Sequence, residues 1–367
     1  MLALAVAAPA RGHVVYGATT LRALTLESDL AVRARIADPS AEVWLEQPLA
    51  REAVVVAEVL ETLRGASEET RLRFVQHGHG VPLYAKGEEV LLFLQRIERS
   101  RELGASPVTS RIRWFSPQET DARFTLDART RDGLTSAVRS YAALDGLPAE
   151  ARLDALRAVT LRLLASPDAA LAGSALRDVV LAGDVPLLGA GDVPALDELI
   201  GDAETPIGVR IGLLAELEHR GLVDGPPRWA ALLRTTAGAD RLAAVRAAAA
   251  HPSEPVAQEL ARLLTSGDPQ LVASAAVSLG GAGSAPSVAP LAKLLESPDA
   301  RVRAAAIRGL GRLAAPGARE PLAKAAAEHP DPDTRRRAAA ELRRLDAATP
   351  TTAPRAERDL PGRVDGR

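Results

Sequence analysis

The chain has 367 residues, of which 47% are apolar and 25% are charged, and its formal net charge is −2 at pH 7. This length and apolar content suit two globular domains with buried cores, and the near-neutral charge gives the chain as a whole no electrostatic attraction to nucleic acid or membrane surfaces. Because the sequence contains no cysteine, disulfides, thiol nucleophiles and thiolate metal sites are excluded.

The first residues, MLALAVAAPARGH, have the apolar core of an export signal, followed by the small-x-small sequence Ala8-Pro9-Ala10. They lack the basic residues that normally precede such a core, so either the start codon lies further upstream or the segment is a short apolar end. We expect residues 1–12 to be a signal-peptide remnant and the protein to be exported to the periplasm, cell envelope or medium of a bacterium. It would be cytoplasmic if the segment is not a signal. No later apolar run approaches the roughly 20 residues of a membrane span.

Nine of the ten aromatic residues lie at or before Tyr141, and only Trp229 follows, which indicates a domain boundary. Before about residue 130, apolar and polar residues alternate as in strands, most clearly where Leu72 and Phe74 alternate with arginines. The predicted strands are 30–37, 53–63, 71–77, 90–97, 111–116 and 122–128. Short strands separated by Gly/Pro turns favour a small barrel or sandwich over an α/β sheet.

A short helix leads into 28-SDLAVRARI-36, a loop carries Trp44, a strand closes on 58-EVLETLRG-65, and 80-GVPLYAKGEEVLLFL-94 enters a further strand. This order resembles the cysteine-free relatives of netrin-like, or tissue-inhibitor-of-metalloproteinase-like, domains. The resemblance implies an OB-type barrel over residues 17–130, as found in exported bacterial proteins. Animal inhibitors of that family reach the protease zinc with a cysteine-anchored amino terminus, which this chain cannot build, so protease inhibition is only an alternative.

One pair of histidines, His77 and His79 in 76-QHGHG-80, has the spacing of a surface metal pair on one side of a strand end. No third ligand is near in sequence, and Glu88 or Glu89 would have to reach across the loop. A turn beside glycines explains the pair without a metal. We therefore expect neither a metal site nor a cofactor.

Three apolar positions recur every 31 residues in the second half, and the first of them holds Trp229, Leu260, Leu291 and Leu322. Parallel ladders begin at Leu232 and Leu233, and together they predict the second helices of stacked helix pairs. The first helices are predicted at 206–217, 239–249, 268–280, 299–311 and 333–345. Asp or Pro-Asp opens the clearer ones, as an N-cap should.

The stretch 297-SPDARVRAAAIRGLGRL-313 contains the motif Asp-x-x-Val-Arg-x-Ala-Ala-x-x-x-Leu-Gly, from Asp299 to Gly311. It resembles HEAT-type repeats of the short variety named after phycobilisome lyases. The resemblance implies an α-solenoid over residues 148–345, in which alanines let successive first helices stack closely. It also implies that Arg303 and Asp299 join an inter-repeat ladder of charge-assisted hydrogen bonds.

The predicted fold class is thus α+β multidomain, with an N-terminal small antiparallel β-barrel, OB-like, followed by a C-terminal α-solenoid of HEAT-like repeats. We expect a linker helix at 131–147. The tail 346–367 is rich in Pro, Thr, Ala and charge, has no apolar period and is expected to be disordered.

A fourth ladder of the same period, Arg262, Lys293 and Lys324, lies on the second helices that line the concave side of such solenoids. These side chains could bind an acidic peptide or an anionic polymer, or they could simply make the surface soluble. The last predicted helix carries Arg335, Arg336, Arg337, Arg343 and Arg344. We interpret this arginine cluster as the polar face of a capping repeat, not as a nucleic-acid site, because no aromatic residues are interleaved.

No nucleophile elbow, phosphate loop, dinucleotide fingerprint or metal-binding helix motif occurs in the sequence. We therefore predict a non-enzymatic scaffold that binds a partner protein or peptide through the solenoid surface, with no nucleic-acid partner. The alternatives are a chromophore lyase or isomerase built on the repeats, and metalloprotease-inhibitor-like binding by the N-terminal domain. The oligomeric state is not predicted.

Overall fold

The computed structural model describes residues 20–47, 50–78, 84–99, 112–117, 123–181, 187–313 and 315–348. The predicted export segment, His79 and most of the predicted tail lie outside these ranges. Contacts divide the chain into two compact units, Met1–Leu222 and Val223–Arg367. The predicted fold class is confirmed, because a closed small β-barrel is followed along the chain by repeated helix pairs.

The barrel is built from five strands, and a short sixth strand pairs with one of them. The strands are β1 (Leu30–Gln47), β2 (Ala50–Arg64), β3 (Arg71–Gly78), β4 (Glu89–Arg96), β5 (Trp114–Ser116) and β6 (Phe124–Thr125). Their order is β1-β2-β3-β5-β4, and an additional pairing between β1 and β4 closes the barrel. All of these pairings are antiparallel except the parallel pair β3–β5. This is the arrangement of a small OB-like barrel.

The prediction of a loop at Trp44 is wrong. Trp44 lies within β1 and pairs with Glu52 of β2. The two strands extend as a long twisted hairpin with several register shifts, where bulges bend the ribbon without ending it. The alternation was too irregular to show the extended pairing, because each bulge moves the apolar residues to the other face.

Alternation along β1 determines the barrel interior. Leu30, Val32, Ala34 and Ile36 are fully buried in the core. Arg33, on the opposite face, donates hydrogen bonds to the carboxylates of Glu89 at 2.8 Å and Glu61 at 3.3 Å.

The helices of the first unit are α1 (Leu21–Glu27), α2 (Arg131–Ala142), α3 (Ala149–Leu164), α4 (Ala169–Val180), α5 (Val193–Gly201) and α6 (Ile207–His219). A buried polar cluster fastens α1 to α2 and α4. The Leu21 amide donates to the Ser174 hydroxyl at 2.9 Å, Arg22 lies 3.2 Å from the Asp178 carboxylate, and Tyr141 donates to it at 3.4 Å. Burial raises the pKa of the Asp178 carboxyl. The helix α2 lies within the predicted linker range, 131–147, and packs on α1 and β2.

The second unit contains α7 (Gly225–Thr235), α8 (Gly238–Ala248), α9 (Glu254–Leu263), α10 (Pro269–Ala282), α11 (Val288–Lys293, continued as a 3₁₀ turn over Leu294–Glu296), α12 (Ala300–Arg312), α13 (Arg319–Glu328) and α14 (Pro332–Ala348). The predicted core ladder is confirmed, since Trp229, Leu260, Leu291 and Leu322 are each 0% exposed. Its members come from successive second helices, so the repeat period places one core residue per helix pair. None of the helices in the described ranges is long and apolar enough to cross a membrane.

Two glycines bring the first helices α10 and α12 into backbone contact. A Cβ added at Gly280 would lie 2.4 Å from the Gly309 carbonyl oxygen, and one added at Gly309 would lie 2.5 Å from the Ala276 carbonyl oxygen. Such distances are far inside van der Waals contact. Close stacking here therefore depends on glycine as well as on the alanines that the repeat pattern indicated.

Candidate functional site

A groove of about 870 Å³ lies between successive second helices of the last two helix pairs. One wall comes from α11 and the turn after it, and the other comes from α13 and the segment that follows it. Lys293 of α11 and Lys324 of α13 both line this second-helix groove. Arg262 of α9 is not among its lining residues, and its guanidinium pairs with Glu259 at 2.8 Å. The structure thus brings two of the three predicted stripe residues into one cavity.

The rim of the second-helix groove carries charges of both signs. Lys293 and Lys324 are exposed, and within the described ranges neither has a carboxylate within 4.0 Å. Three exposed glutamates on the same rim also have no ion-pair partner in the described part of the chain: Glu296, Glu320 and Glu328. The lining is otherwise largely apolar and includes the buried Leu295 and Ala325. Such a surface offers charged hydrogen-bond donors and acceptors around an apolar floor.

Arg303 is one of the residues that line the groove, and it joins two consecutive repeats. Its guanidinium contacts the Asp331 carboxylate at 2.7 Å and the Thr334 hydroxyl at 3.0 Å, and it donates to the Ser297 carbonyl at 2.8 Å. Hydrogen bonds from Thr334 and Arg303 lower the pKa of the Asp331 carboxyl. These are charge-assisted bonds between α12 and the segment that opens α14.

Asp299 does not pair with Arg303 through its side chain. Its carboxylate accepts from the amides of Arg301 and Val302 at the start of α12, and it pairs with the Arg301 guanidinium at 3.1 Å. The residue one period before Arg303 is Val272, so the preceding repeat has no guanidinium to offer Asp299.

His329 forms a second link across the groove. Its Nε2 lies 2.9 Å from the Leu295 carbonyl oxygen, and its Nδ1 accepts from the Asp331 amide at 3.0 Å. Because the carbonyl can only accept and the amide can only donate, the ring is the neutral tautomer with its proton on Nε2. Sequence reasoning missed this residue. The signal was its repeat position, where Ser266 and Ser297 accept from the amide two residues on in the same way.

Other predicted sites are accounted for by local contacts or lie outside the description. Within the arginine cluster of α14, Arg335 donates to the His329 carbonyl, Arg336 pairs with Asp333, and Arg344 pairs with Glu341. Trp229 is buried and stacks on His251 with ring centroids 4.0 Å apart. The side chain of His77 and all of His79 fall outside the described residues. No group of three His, Asp or Glu residues in the described ranges could hold a metal ion.

Comparison with known proteins points to repeats in the same region. Residues 288–358 match the family model of HEAT repeats, which covers the second-helix groove. No curated protein sequence matches the chain.

The chain is also similar, at low sequence identity, to solved structures. One is the crystal structure of an engineered protein, which is 21% identical to this chain in sequence and has a TM-score of 0.34. The match covers 59% of this chain and 66% of the engineered protein, slightly under two thirds of the engineered protein's length. Computationally designed armadillo repeat proteins for modular peptide recognition are 21% identical over 51% of this chain and 98% of theirs, with a TM-score of 0.33. Human deoxyhypusine hydroxylase, in complex with glycerol, is 19% identical to this chain and has a TM-score of 0.30. The match covers 60% of this chain and 88% of the hydroxylase. The match to the family model shows that the last helix pairs of this chain are similar to HEAT repeats.

Proposed function

We propose that the protein is a non-enzymatic scaffold that binds a peptide segment of a partner protein in the second-helix groove. The observation that carries the proposal is the cavity of about 870 Å³ with unpaired charges of both signs around an apolar floor. Cavities of this size and lining are typical of ligand sites. Leaving such charges unpaired contributes little to stability, whereas a partner can use them for orientation and specificity.

The groove is held in shape before anything binds. Arg303 and His329 connect the two helix pairs that form its walls, through Asp331 and the Leu295 carbonyl. A preformed site lowers the entropic cost of association, because its walls need not be ordered on binding.

The chemistry of the rim specifies what such a segment carries. A carboxylate would accept from Lys293 and Lys324, a basic side chain would pair with Glu320 or Glu328, and an apolar side chain would cover Leu295. Peptides with an acidic residue, an apolar residue and a basic residue in close succession are expected to bind best.

Selection from a displayed library of random peptides tests this function. Peptides enriched on the native chain are then measured against Lys293→Glu/Lys324→Glu and against Arg337→Glu/Arg343→Glu. The second variant makes the same charge change at exposed sites on α14. We expect binding to weaken at least about tenfold in the groove variant, because hydrogen bonds to charged groups are lost, and to change little in the control. Equal binding to all three proteins, or no enriched peptide, would contradict the proposal.

The proposal also covers the cellular compartment and the family of the barrel. The strand order of the barrel supports the family, and the signal-like sequence ending in Ala8-Pro9-Ala10 supports export. We propose an exported protein whose barrel is a cysteine-free netrin-like domain. Mass spectrometry of the amino terminus, after expression from the native gene together with its upstream sequence, checks the export: cleavage near Ala10 and recovery outside the cytoplasm agree with it, and an uncleaved cytoplasmic protein contradicts it.

A further inference from the structure

A second groove, of about 450 Å³, lies among the first helices α8, α10 and α12. Its charged lining residues are Arg246 from α8 and Arg301, Arg308 and Arg312 from α12. No carboxylate is among the described residues that line it. The rim of this arginine groove therefore carries a single sign of charge, unlike the second-helix groove.

Three of the four guanidiniums have no counter-charge. Arg301 is paired with Asp299 at 3.1 Å. Arg246, Arg308 and Arg312 are exposed, and none has a carboxylate within 4.0 Å among the residues that the structure describes. Exposed arginines often serve only solubility. Here, however, they line one groove, where a positive potential is focused and an anion can be held.

The floor between these arginines is uncharged. The helix α10, from Pro269 to Ala282, contains no Asp, Glu, Lys or Arg, and it contributes Gln270, Ala273, Ser274 and Val277 to the groove. Small side chains on the floor let an extended backbone lie close to the helix. Such a floor can also cover small apolar side chains of a ligand.

The repeat fixes the spacing of the arginines. Arg246, Val277 and Arg308 occupy one position of successive repeats, 31 residues apart, so one arginine stands on each side of α10. Packed helix axes lie about 8–10 Å apart, so the two arginines are rooted roughly 16–20 Å apart. An extended chain rises about 3.3 Å per residue and covers that span in about five to six residues. Arg312 follows Arg308 by one helical turn and adds a second donor at the same end.

From this arrangement we infer that the arginine groove binds an extended acidic peptide, lying across α10 with carboxylates at both ends. Arg246 bonds the carboxylates at one end, and Arg308 and Arg312 bond those at the other. The guanidinium fork matches a carboxylate in a bidentate geometry, so arginine suits this task better than lysine. A peptide is favoured over a nucleic acid because no aromatic residue lines the groove to stack a base. This site is additional to the second-helix groove and does not depend on it.

Fluorescence anisotropy with a labelled peptide Glu-Glu-Ala-Ala-Glu-Glu tests the inference on the full chain. We expect binding that weakens with salt, that is lost when glutamine replaces every glutamate of the peptide, and that falls at least about tenfold in Arg246→Gln/Arg308→Gln. The matched control Arg337→Gln/Arg343→Gln removes the same charge from exposed sites on α14 and should bind as the native chain does.

Three outcomes would overturn the inference. The first is no measurable binding, and the second is equal binding by the two double variants. The third is that a single-stranded DNA of equal charge displaces the peptide and itself binds Arg246→Gln/Arg308→Gln more weakly than the native chain. The last result would assign the groove to nucleic acid. Lys293→Glu/Lys324→Glu changes the other groove and would weaken this peptide only slightly, through net charge. Failure of one site is thus distinguishable from failure of the other.

Discussion

Replacing Gly309 by alanine should destabilise the second unit, although alanine is the better helix former. In an unstrained helix the exchange favours the folded state by about 1 kcal/mol. At Gly309 the new Cβ would stand 2.5 Å from the Ala276 carbonyl oxygen, about 1 Å inside ordinary contact distance. The helices α10 and α12 must then separate, and such overpacking costs about 1–3 kcal/mol or more in a closely packed interior. We expect a net loss, with a fall in Tm of about 2–4 °C for each kcal/mol.

Gly173 provides the matched control. It lies inside α4, and a Cβ added there would meet nothing within 4 Å. Gly173→Ala should therefore raise stability by up to about 1 kcal/mol, as helix propensity alone predicts. Urea unfolding followed by far-ultraviolet circular dichroism measures both variants. If Gly309→Ala were as stable as the native chain or more stable, the close approach of α10 and α12 would not exist and the reasoning would be refuted.

Three further changes test the packing and the electrostatics of the repeats. Leu291→Ala empties a fully buried ladder position and should cost about 2–5 kcal/mol in urea unfolding, whereas Leu153→Ala at a 38% exposed position should cost less than about 0.5 kcal/mol. Because the folded state lowers the pKa of Asp331, the stability that this carboxylate contributes is present above the usual Asp pKa of about 3.9 and is lost as the pH falls below it. In Asp331→Asn, the Tm at neutral pH should therefore differ less from the Tm in acid than it does in the native chain. An unchanged difference would show that the hydrogen bonds to the Asp331 carboxylate do not stabilise the folded state. Arg303→Lys combined with Asp331→Asn should be less damaging than the sum of the single changes, and full additivity in a double-mutant cycle would show that the two side chains do not interact.

The repeated core was predictable because its signal is periodic. A buried residue recurs every 31 positions, as at Leu260 and Leu291, because each helix pair packs on its neighbour in the same way. The strands were predictable for a similar reason, since alternation marks one buried face. Bulges in the β1–β2 ribbon interrupt that alternation, so the sequence does not show that Trp44 lies in a strand.

The sites were less predictable because they depend on deviations from the period. Arg262 shares the ladder of Lys293, yet it pairs with Glu259 on its own helix, a carboxylate that also pairs with Arg234. Arg303 pairs with Asp331 of the next repeat, whereas Asp299 has no such partner, because Val272 stands one period before Arg303 where a second arginine would be needed. The Asp178 cluster joins residues more than 150 positions apart, which no local pattern records.

Hydrogen exchange of the native chain, with and without a peptide selected on it, tests the central claim most directly. Binding in the second-helix groove predicts slower amide exchange in α11 and the 3₁₀ turn after it, and in α13 with the segment up to Asp331, while α3 and α4 exchange as before. Protection confined to other helices, or to the barrel strands, would contradict the claim that this groove is where the scaffold holds its partner.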